Sequence, residues 1–405
     1  MKISLLLERE PFPAIFEETM ARYFSAVSGA PTRVAWRKRT VRERLFQGRN
    51  GEDWLCNTLV NAVFHPFASK EAMALPRHWY GRGGSLARTI MQQGYVRAAT
   101  SQITRGMVAP YAITIDPCPA QAAHCLIAGG NTRLRLFDFK SGEATTILKS
   151  RFDPVFVSAD LEVRKAHPWL PAPPVLRVLD EGRAYAEPII SARTAAAQQD
   201  KTTRDAALEQ VLEACARLGK ETHAQSLASR YLRELAENCR AFGEPLRQRN
   251  QALSSALERW LQRIETEASR LDEGRDFDIA TGCSHGDLAP GNVLIDGEQV
   301  YLIDWERTNR RILGFDAITL ALASRRETRG LWQRARAVAT GNRSQGMADT
   351  MAREALSGDD PAQMEVGIFV YLTEELLFHL QESFQGPISV ITLGLLRILD
   401  ELKQQ

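Results

Sequence analysis

Two short apolar runs separated by an Asp-Gly turn place the strongest constraint on how this 405-residue chain can fold. Residues 293–295 and 300–303 flank the turn Asp296-Gly297, a pattern that predicts a β-hairpin. Asn292 stands where the first strand begins and Asp304 where the second ends. In an antiparallel pair these two positions are expected to lie side by side. An amide oxygen and a carboxylate at the mouth of a hairpin make a hard-oxygen site suited to Mg²⁺.

A third polar group, Asp287, precedes Asn292 on an irregular loop and can face the same place. Phosphoryl transfer requires such a set, because a metal ion neutralises phosphate charge while a carboxylate positions the attacking hydroxyl and accepts its proton. Much of the lowering of the barrier comes from positioning and electrostatics. The alternative interpretation is a fortuitous hairpin whose polar ends are ordinary turn residues.

The stretch from His285 to Glu306 resembles the catalytic segment of the aminoglycoside phosphotransferase and choline kinase-like families, small-molecule relatives of protein kinases. Their pattern is H-G-D-L-x-x-x-N-[VIL]-[LI], then a hairpin, then an apolar run ending in D-[FWY]-[ED]; this chain matches each position. The resemblance implies that Asp287 is the catalytic base and that Asn292 and Asp304 bind Mg²⁺. It also implies that His285 supports the loop and that ATP is the phosphate donor.

A kinase-like site also needs a turn that covers the phosphates and a lysine, and the upstream sequence offers both. Gly129-Gly130-Asn131 lies between two predicted strands, where glycines let the backbone approach phosphates closely. The next predicted strand ends in Lys149 and resembles the V-A-I-K strand, whose lysine contacts the α- and β-phosphates. Such a turn can equally be a plain hairpin, and a lysine at a strand end is often solvated.

By the same resemblance, a helix carboxylate is expected to pair with Lys149. A helix is predicted over 158–167 with Ser158 as its N-cap, and Glu162 is the first choice for the partner, with Asp160 as the alternative. The strand and hinge that follow are expected to hold the adenine through backbone groups near residues 187–189, which begin at Glu187.

Short strands followed by many helices predict the α+β class. The resemblance implies a two-lobed protein-kinase-like fold, with a small β-rich N-lobe at 118–191 and a large helical C-lobe at 192–405 that carries the catalytic loop. Residues 1–117 fall outside the resemblance and are predicted to form an additional N-terminal α/β unit of unknown role. Within it, residues 2–7 suggest a strand and 13–26 an amphipathic helix.

Two features argue against a protein acceptor for the phosphate. Gly286 precedes Asp287, where many phosphorylation-controlled protein kinases have Arg. Asp304 is followed closely by Gly314-Phe315-Asp316, which leaves little room for an activation segment. Asp316 is either a support for the catalytic loop, as in the small-molecule families, or simply a residue in the first turn of a helix.

The acceptor is expected to be a hydroxyl of an amino sugar, an amino alcohol, or another sugar or glycan. In these families the helical lobe usually supplies the acceptor site, so the candidate acidic residues are Glu306, Glu374 and Glu375, although a glutamate pair on a helix can equally face solvent. A loop at 77–84, rich in Arg, aromatic residues and Gly, could bind an anion or stack on a sugar. The alternative function is a catalytically idle nucleotide-binding or scaffold protein.

Charge and composition exclude several other classes of partner. Lys and Arg total 51 against 49 Asp and Glu, so net charge gives no reason to expect a nucleic-acid partner. No stretch approaches the roughly 18 apolar residues of a membrane span. The six cysteines form no C-x-x-C pair, which argues against a zinc site and favours a reducing, cytoplasmic environment. The sequence does not indicate an oligomeric state.

Overall fold

The computed structural model describes residues 2–46, 53–79, 86–274, 276–323, 330–342, 346–356 and 361–384. The chain divides into two compact units. The first comprises Met1–Ser158 and Pro174–Ile189, and the second comprises Ala159–Pro173 and Ile190–Gln405.

Nine strands of the first unit form one sheet. In chain order they are β1 (Arg33–Lys38), β2 (Asp53–Asn57), β3 (Ala62–Phe64), β4 (Tyr111–Asp116), β5 (Cys125–Gly129), β6 (Arg133–Asp138), β7 (Glu143–Leu148), β8 (Arg177–Leu179) and β9 (Ala184–Pro188). Their spatial order is β1-β4-β2-β3-β5-β6-β7-β9-β8, and every neighbouring pair is antiparallel.

The pairing of β3 with β5 joins the predicted N-terminal unit to the predicted N-lobe. Val63 lies opposite Ile127 and Phe64 opposite Leu126. The four strands before Pro117 therefore extend the sheet formed by the five strands after it. As a result, no boundary between compact units falls at 117/118, whereas the boundary at 189/190 lies close to the predicted end of the N-lobe.

Helices cover both faces of this sheet. They are α1 (Ile3–Arg9), α2 (Phe12–Ser28), α3 (Val41–Phe46), α4 (Lys70–Trp79), α5 (Leu86–Thr100), α6 (Arg105–Val108) and the first turn of α7 (Val155–Ala166). Because side chains alternate along a strand, Ile127 of β5 packs in the core formed with α1 and α2, whereas Leu126 packs in the core formed with α4 and α5. The helix α2 confirms the amphipathic helix predicted at 13–26.

The prediction of a strand at residues 2–7 is wrong, because this segment forms most of α1. Ile3 and Leu6, which stand three residues apart, are both buried, whereas Leu5 between them is 43% exposed. A short apolar run is compatible with either a helical or a strand period. Packing against the sheet, which the sequence does not display, selects the helix.

The predicted helix at 158–167 is present, but it begins earlier than expected. The helix α7 starts at Val155, whose backbone N–H donates to Asp153 Oδ1 at 2.9 Å. Ser158 therefore lies inside the helix and is not its N-cap, and its hydroxyl donates to Val155 O at 3.4 Å.

The second unit is mainly helical and contains two three-stranded sheets. One sheet has the order β10-β13-β14 and the other β11-β12-β15, for β10 (Arg193–Thr194), β11 (Ala224–Leu227), β12 (Asp278–Ser284), β13 (Val293–Asp296), β14 (Gln299–Leu302) and β15 (Asn309–Ile312). The remaining helices are α8 (Lys201–Glu221), α9 (Ala228–Arg240), α10 (Gly243–Arg249), α11 (Gln251–Asp272), α12 (Phe315–Leu322), α13 (Leu331–Ala339), α14 (Met347–Leu356) and α15 (Pro361–Phe384). The predicted α+β class is confirmed.

The chain contains six cysteines. All six are free, and burial raises the pKa of the Cys56 and Cys215 thiols well above the ordinary value. Such thiols pack as small apolar groups. None of the described helices combines the length and the apolar character that crossing a membrane requires.

The crossing of α8 over β12 depends on Gly282. A Cβ at this position would lie 2.4 Å from Gly219 O and 2.9 Å from Gly219 C, which are backbone atoms that cannot rotate away. We therefore expect Gly282→Ala to lower the free energy of unfolding by about 1–3 kcal/mol, the usual cost of overpacking. Chemical denaturation followed by circular dichroism measures this change.

Gly94→Ala is the matched control, because no atom lies within 4 Å of the added Cβ in the middle of α5. This change is expected to raise the free energy of unfolding by about 0.5–1 kcal/mol, since alanine favours the helix. Equal effects of the two substitutions would contradict the packing argument.

Candidate active site

Asp316, in the first turn of α12, anchors the loop that follows β12. Its Oδ2 accepts a hydrogen bond from His285 N at 2.8 Å, and its Oδ1 accepts one from Gly286 N at 2.9 Å. Asp316 is only 3% exposed, so both bonds form away from water. Asp316 therefore supports this loop, and two consecutive peptide groups before Asp287 are thereby fixed.

The imidazole of His285 joins the loop to the hairpin. This side chain is completely buried, and its Nδ1 accepts a hydrogen bond from Asp287 N at 3.3 Å. Because a backbone N–H can only donate, the ring proton belongs on Nε2, which lies 3.0 Å from Ile303 O and donates to it. The ring also packs edge-on against Trp305, with centroids 4.7 Å apart. A structural role for His285 is therefore confirmed.

Gly286 is the residue that lets the loop pass close to its neighbours. Its φ of +82° lies in the left-handed region, and an added Cβ would lie 2.3 Å from both Arg307 O and Arg311 Nη1. The buried Arg311 guanidinium donates from Nη1 to Ser284 Oγ at 2.7 Å and to Arg307 O at 3.0 Å. This arginine therefore braces the loop from the side that a substituent on Gly286 would occupy.

Asn292 contacts Asp287 directly. Its Nδ2 donates to the backbone oxygen of Asp287 at 2.9 Å and to its Oδ2 at 3.3 Å. The amide thereby restrains the carboxylate, and its own carbonyl oxygen is turned away from these bonds. Both residues are half-buried. An amide oxygen in this orientation fits the role of a ligand to a hard cation.

The hairpin is present, but its register differs from the prediction by one residue. The turn is Gly297-Glu298, so Val293 lies opposite Leu302 and Ile303 N donates to Asn292 O at 2.9 Å. Asn292 is therefore opposite Ile303, and Asp304 follows it in the left-handed conformation, with a φ of +66°. A metal site shared by Asn292 and Asp304 stays a prediction. Within the described ranges, no group of three or more His, Cys, Asp or Glu side chains could hold a metal ion.

The glycine turn between β5 and β6 lies where the sequence predicted it. A Cβ on Gly129 would lie 2.9 Å from side-chain atoms of Ile3 and Leu6, so this glycine is needed for α1 to pack. A Cβ on Gly130 would lie 2.6 Å from Arg133 O, which makes this glycine a requirement of the tight turn itself. Asn131 Oδ1 accepts a long hydrogen bond, of 3.5 Å, from Arg9 Nη1.

Lys149 is completely buried at this turn. Its Nζ donates to Glu10 Oε1 at 2.5 Å and to Gly130 O at 3.1 Å. The ammonium also lies 4.7 Å from the ring centroid of Phe152 and 5.6 Å from that of Phe12. Burial raises the pKa of Glu10 even though the charge of Lys149 opposes the rise. The contact places Lys149 beside the predicted phosphate turn, and it reveals Glu10 as a partner that the sequence analysis missed.

The helix carboxylates considered as partners of Lys149 differ in exposure. Glu162 is exposed on α7, whereas Asp160 is completely buried and forms an ion pair with Arg164 at 3.1 Å. Both carboxylates belong to the second unit and Lys149 to the first. Pairing of Lys149 with either carboxylate stays a prediction.

Glu187 lies on β9 and is 4% exposed. Its Oε1 accepts from Arg135 Nη2 at 3.3 Å, and its strand pairs with β7. Nearby, Ile189 N donates to Gly142 O at 2.8 Å. The role of this segment in holding adenine stays a prediction.

The acidic residues considered for the acceptor site differ in burial and in their hydrogen bonds. Glu375 is completely buried, and its Oε1 accepts hydrogen bonds of 3.3 Å from Thr319 Oγ1 and Tyr371 OH. Glu306 is half-buried after the hairpin. Glu374 is 2% exposed and accepts on Oε1 from Tyr231 OH at 2.5 Å and Ile312 N at 2.8 Å.

The second oxygen of Glu374, Oε2, has no hydrogen-bond partner among the described residues. Glu374 lines a cavity of about 180 Å³. The other lining residues include Tyr231, Asn238, Asn309, Arg310 and Arg311. Burial raises the pKa of Glu374 to about 8, although the bonds from Tyr231 and Ile312 oppose the rise. A buried carboxyl group with an unused oxygen beside a cavity is a candidate for binding a cation.

The loop predicted at 77–84 is wrong for its first three residues, because Arg77, His78 and Trp79 form the end of α4. Arg77 Nε donates to Thr100 Oγ1 at 2.7 Å, and Trp79 packs edge-on against Phe137 at 5.5 Å. These contacts account for Arg77 and Trp79 by packing within the first unit. Tyr80, Arg82 and the adjoining glycines lie outside the described residues.

Removing one oxygen of the Asp316 carboxylate tests the anchor of the loop. In Asp316→Asn, a single carbonyl oxygen remains where two N–H groups now bond, so one buried donor loses its acceptor. We expect the free energy of unfolding to fall by about 1–3 kcal/mol. Asp296→Asn, at an exposed position of the hairpin, is the control and is expected to change little. The prediction fails if both variants denature at the same urea concentration.

The raised pKa of Glu374 predicts how stability depends on pH. The folded protein retains the proton up to about pH 8, whereas the unfolded chain releases it near pH 4.3, so stability falls as pH rises between these values. Glu374→Gln cannot titrate, and we expect it to gain roughly a few kcal/mol relative to the parent between pH 5 and 9. Thermal unfolding across this range measures the difference, with the exposed Glu298→Gln as control. Parallel pH profiles for Glu374→Gln and the parent would rule the effect out.

A family model described as the phosphotransferase enzyme family matches residues 156–355. Among curated proteins, none matches the chain significantly. A choline/ethanolamine kinase family protein from Mesorhizobium loti is similar in structure at 16% identity, covering 77% of this chain and 93% of that chain, with a TM-score of 0.44.

Two further solved structures are similar at lower identity. Choline kinase LicA from Streptococcus pneumoniae is 13% identical, covers 71% of this chain and 92% of its own, and has a TM-score of 0.40. A spectinomycin phosphotransferase in complex with ADP and spectinomycin is 14% identical, covers 68% and 84%, and has a TM-score of 0.35. The family match contains His285, Asp287, Asn292, Asp304 and Asp316. It confirms the predicted resemblance and fold class, and residues 156–355 are similar to the phosphotransferase enzyme family.

Proposed function

We propose that the protein is an ATP- and Mg²⁺-dependent phosphotransferase that acts on an alcohol group of a small molecule. The geometry of Asp287 carries this proposal. Its carboxylate is restrained by the Asn292 amide at 3.3 Å, and the peptide groups before it are held by Asp316. A carboxylate fixed on an anchored loop can orient a hydroxyl with little loss of conformational freedom at the moment of reaction.

Asp287 acts as the base of this reaction. The hydroxyl oxygen of the acceptor forms a bond to the γ-phosphorus, the bond between that phosphorus and the leaving ADP oxygen breaks, and the hydroxyl proton passes to the Asp287 carboxylate. The amide of Asn292 keeps one carboxylate oxygen in place, so the other can face the acceptor. The products are a phosphate ester and ADP.

Asn292 and Asp304 would hold the metal ion through an amide oxygen and a carboxylate. The donor set fits Mg²⁺, because the Asn292 nitrogen is already engaged with Asp287 and its oxygen is the atom left to bind a cation. When bound, Mg²⁺ supplies positive charge against the β- and γ-phosphates. Gly129, Gly130, Asn131 and Lys149 would contribute the phosphate-binding turn and its lysine.

The cavity at Glu374 supports an acceptor that carries an amine. Arg311 lines this cavity and also bonds to Ser284, directly before the catalytic loop, so cavity and loop share a wall. Without a ligand, Glu374 retains its proton up to about pH 8; a protonated amine placed there would favour release of that proton and give Oε2 an ionic hydrogen-bond partner. Amino sugars and amino alcohols fit this chemistry better than neutral sugars.

Substitution of the two aspartates tests the proposal. Asp287→Asn removes the base but leaves the hydrogen-bonding shape, so kcat should fall by about 10²–10⁴-fold while the Kd for Mg-ATP is little changed. Asp304→Ala should abolish the dependence of nucleotide binding on Mg²⁺. Turnover with amino sugars, amino alcohols and neutral sugars, together with calorimetric nucleotide titrations, measures both effects.

Asp296→Asn serves as the matched control, because this aspartate is exposed on the same hairpin and contacts neither the loop nor the acceptor cavity in the described structure. Nucleotide binding that ignores Mg²⁺ and both active-site substitutions would refute the phosphotransferase proposal. Binding that depends on Mg²⁺ without turnover of any acceptor class would instead favour a catalytically idle nucleotide-binding protein.

A further inference from the structure

Residues 3–10, comprising α1 and Glu10, form a segment that we call the N-terminal cover. This segment contacts three elements of the first unit that are predicted to meet nucleotide phosphates. Ile3 and Leu6 lie against Gly129, Arg9 reaches Asn131, and Glu10 pairs with Lys149. Three contacts that converge on one predicted site from one short segment call for a common explanation.

The apolar side of the cover closes the glycine turn. Ile3 and Leu6 are almost completely buried, and their side chains come within 2.9 Å of where a Cβ on Gly129 would lie. Asn61 ties the two parts together, because its Oδ1 accepts from Ile3 N at 3.0 Å and its Nδ2 donates to Gly129 O at 2.9 Å. The backbone surface that glycine would expose to a phosphate is thus occupied by α1.

The polar side of the cover closes Lys149. Glu10 Oε1 lies 2.5 Å from Nζ, and the Lys149 side chain has no exposed surface. A residue that only oriented Lys149 would leave part of the ammonium open to the ligand. Glu10 instead provides the lysine with an anionic partner, which is the kind of group that a phosphate would also provide.

We propose that the N-terminal cover is an autoinhibitory element in which Glu10 occupies the Lys149 ammonium until a nucleotide phosphate replaces it. This inference rests on the proposed phosphotransferase function. The exchange replaces one anion by another, so Lys149 is never left as an unpaired buried charge. A phosphate offers more charge and more acceptor oxygens than a carboxylate, and can therefore displace it.

The structure also provides a means of opening. Glu10 has an extended backbone, with φ −151° and ψ 161°, and it separates α1 from α2. Phe12 and Phe16 belong to the same core cluster as Ile3 and Leu6, so α2 keeps buried anchors of its own when the cover leaves, whereas Ile3 and Leu6 become exposed. A helix of seven residues is not stable by itself in water, so the released segment would unfold locally. Burial raises the pKa of Glu10, which indicates that its pairing does not fully offset the loss of water.

The first test measures the Kd of the full-length protein for Mg-ATP by calorimetry. Glu10→Gln removes the competing charge and should tighten binding about tenfold, which corresponds to about 1.4 kcal/mol. Leu6→Ala weakens the apolar contact with Gly129 without changing charge and should tighten binding in the same direction. Glu8→Gln is the matched control, since this glutamate is exposed on the same helix, and it should leave the Kd unchanged.

The second test does not depend on a substitution. Amide hydrogen exchange on the parent protein should show that residues 3–10 lose protection when saturating Mg-ADP is added, including the N–H groups of Leu6 and Glu10 that now bond to Lys2 O and Leu6 O. Unchanged or increased protection of this segment overturns the proposal. So does a Glu10→Gln protein that binds nucleotide equally or more weakly, because Glu10 would then position Lys149 or serve only the fold.

Failure of the cover and failure of the phosphotransferase function give different results. If the parent binds nucleotide in a Mg²⁺-dependent manner that Asp304→Ala abolishes, but Glu10→Gln does not tighten it, only the autoinhibitory role is lost. If neither the parent nor Glu10→Gln nor Leu6→Ala binds nucleotide, the phosphotransferase function itself is refuted, and the cover with it. Binding by Glu10→Gln but not by the parent would support both.

Discussion

The two hydrogen bonds from His285 N and Gly286 N to the buried Asp316 carboxylate are the interaction on which the candidate site depends. They connect the start of α12 to the loop after β12, and that loop has no regular structure of its own. The His285 ring then donates a hydrogen bond to Ile303 O, which fixes the loop to the end of the hairpin. The side-chain amide of Asn292 in turn donates a hydrogen bond to the backbone oxygen of Asp287. One buried carboxylate thus fixes two peptide groups, and the remaining contacts close a ring around the proposed base.

Two buried carboxyl groups in the second unit, Asp316 and Glu374, differ in how their oxygens are hydrogen-bonded. Asp316 accepts two N–H donors, which is the arrangement that makes a buried carboxylate tolerable. Glu374 receives two donors on one oxygen, and its pKa is nevertheless raised to about 8. Both oxygens of Asp316 accept hydrogen bonds from the loop, so this carboxylate serves the fold. Glu374 Oε2 has no hydrogen-bond partner among the described residues and can therefore bond to a ligand. Arg311 donates a hydrogen bond to Ser284, directly before the loop that Asp316 anchors, and it also lines the cavity of Glu374.

The sequence predicted well those features whose partners are close along the chain. Within one short stretch with strong local signals lie His285, Asp287, Asn292, Asp304 and Asp316. The hairpin in this stretch and the support from Asp316 could therefore be predicted. The turn of that hairpin lies at Gly297-Glu298, one residue later than predicted, and Asn292 lies opposite Ile303 and not opposite Asp304. The contact between Glu10 and Lys149 joins residues 139 positions apart, and no local pattern marks it. The helix α1 was missed for the related reason that its period is ambiguous until the sheet beneath it is known.

The pairing of β5 with β3 has a consequence for the family segment taken by itself. In the whole chain, β5 is hydrogen-bonded on both sides, by β3 and by β6, so the strand that leads into the glycine turn is an interior strand. Residues 156–355, the stretch that matches the phosphotransferase family, contain neither this strand nor its neighbours. A shortened chain beginning at residue 118 would turn β5 into a bare sheet edge and uncover Ile127, a surface prone to self-association. We therefore expect that a segment which folds without self-association must include more of the chain than residues 156–355, which match the family.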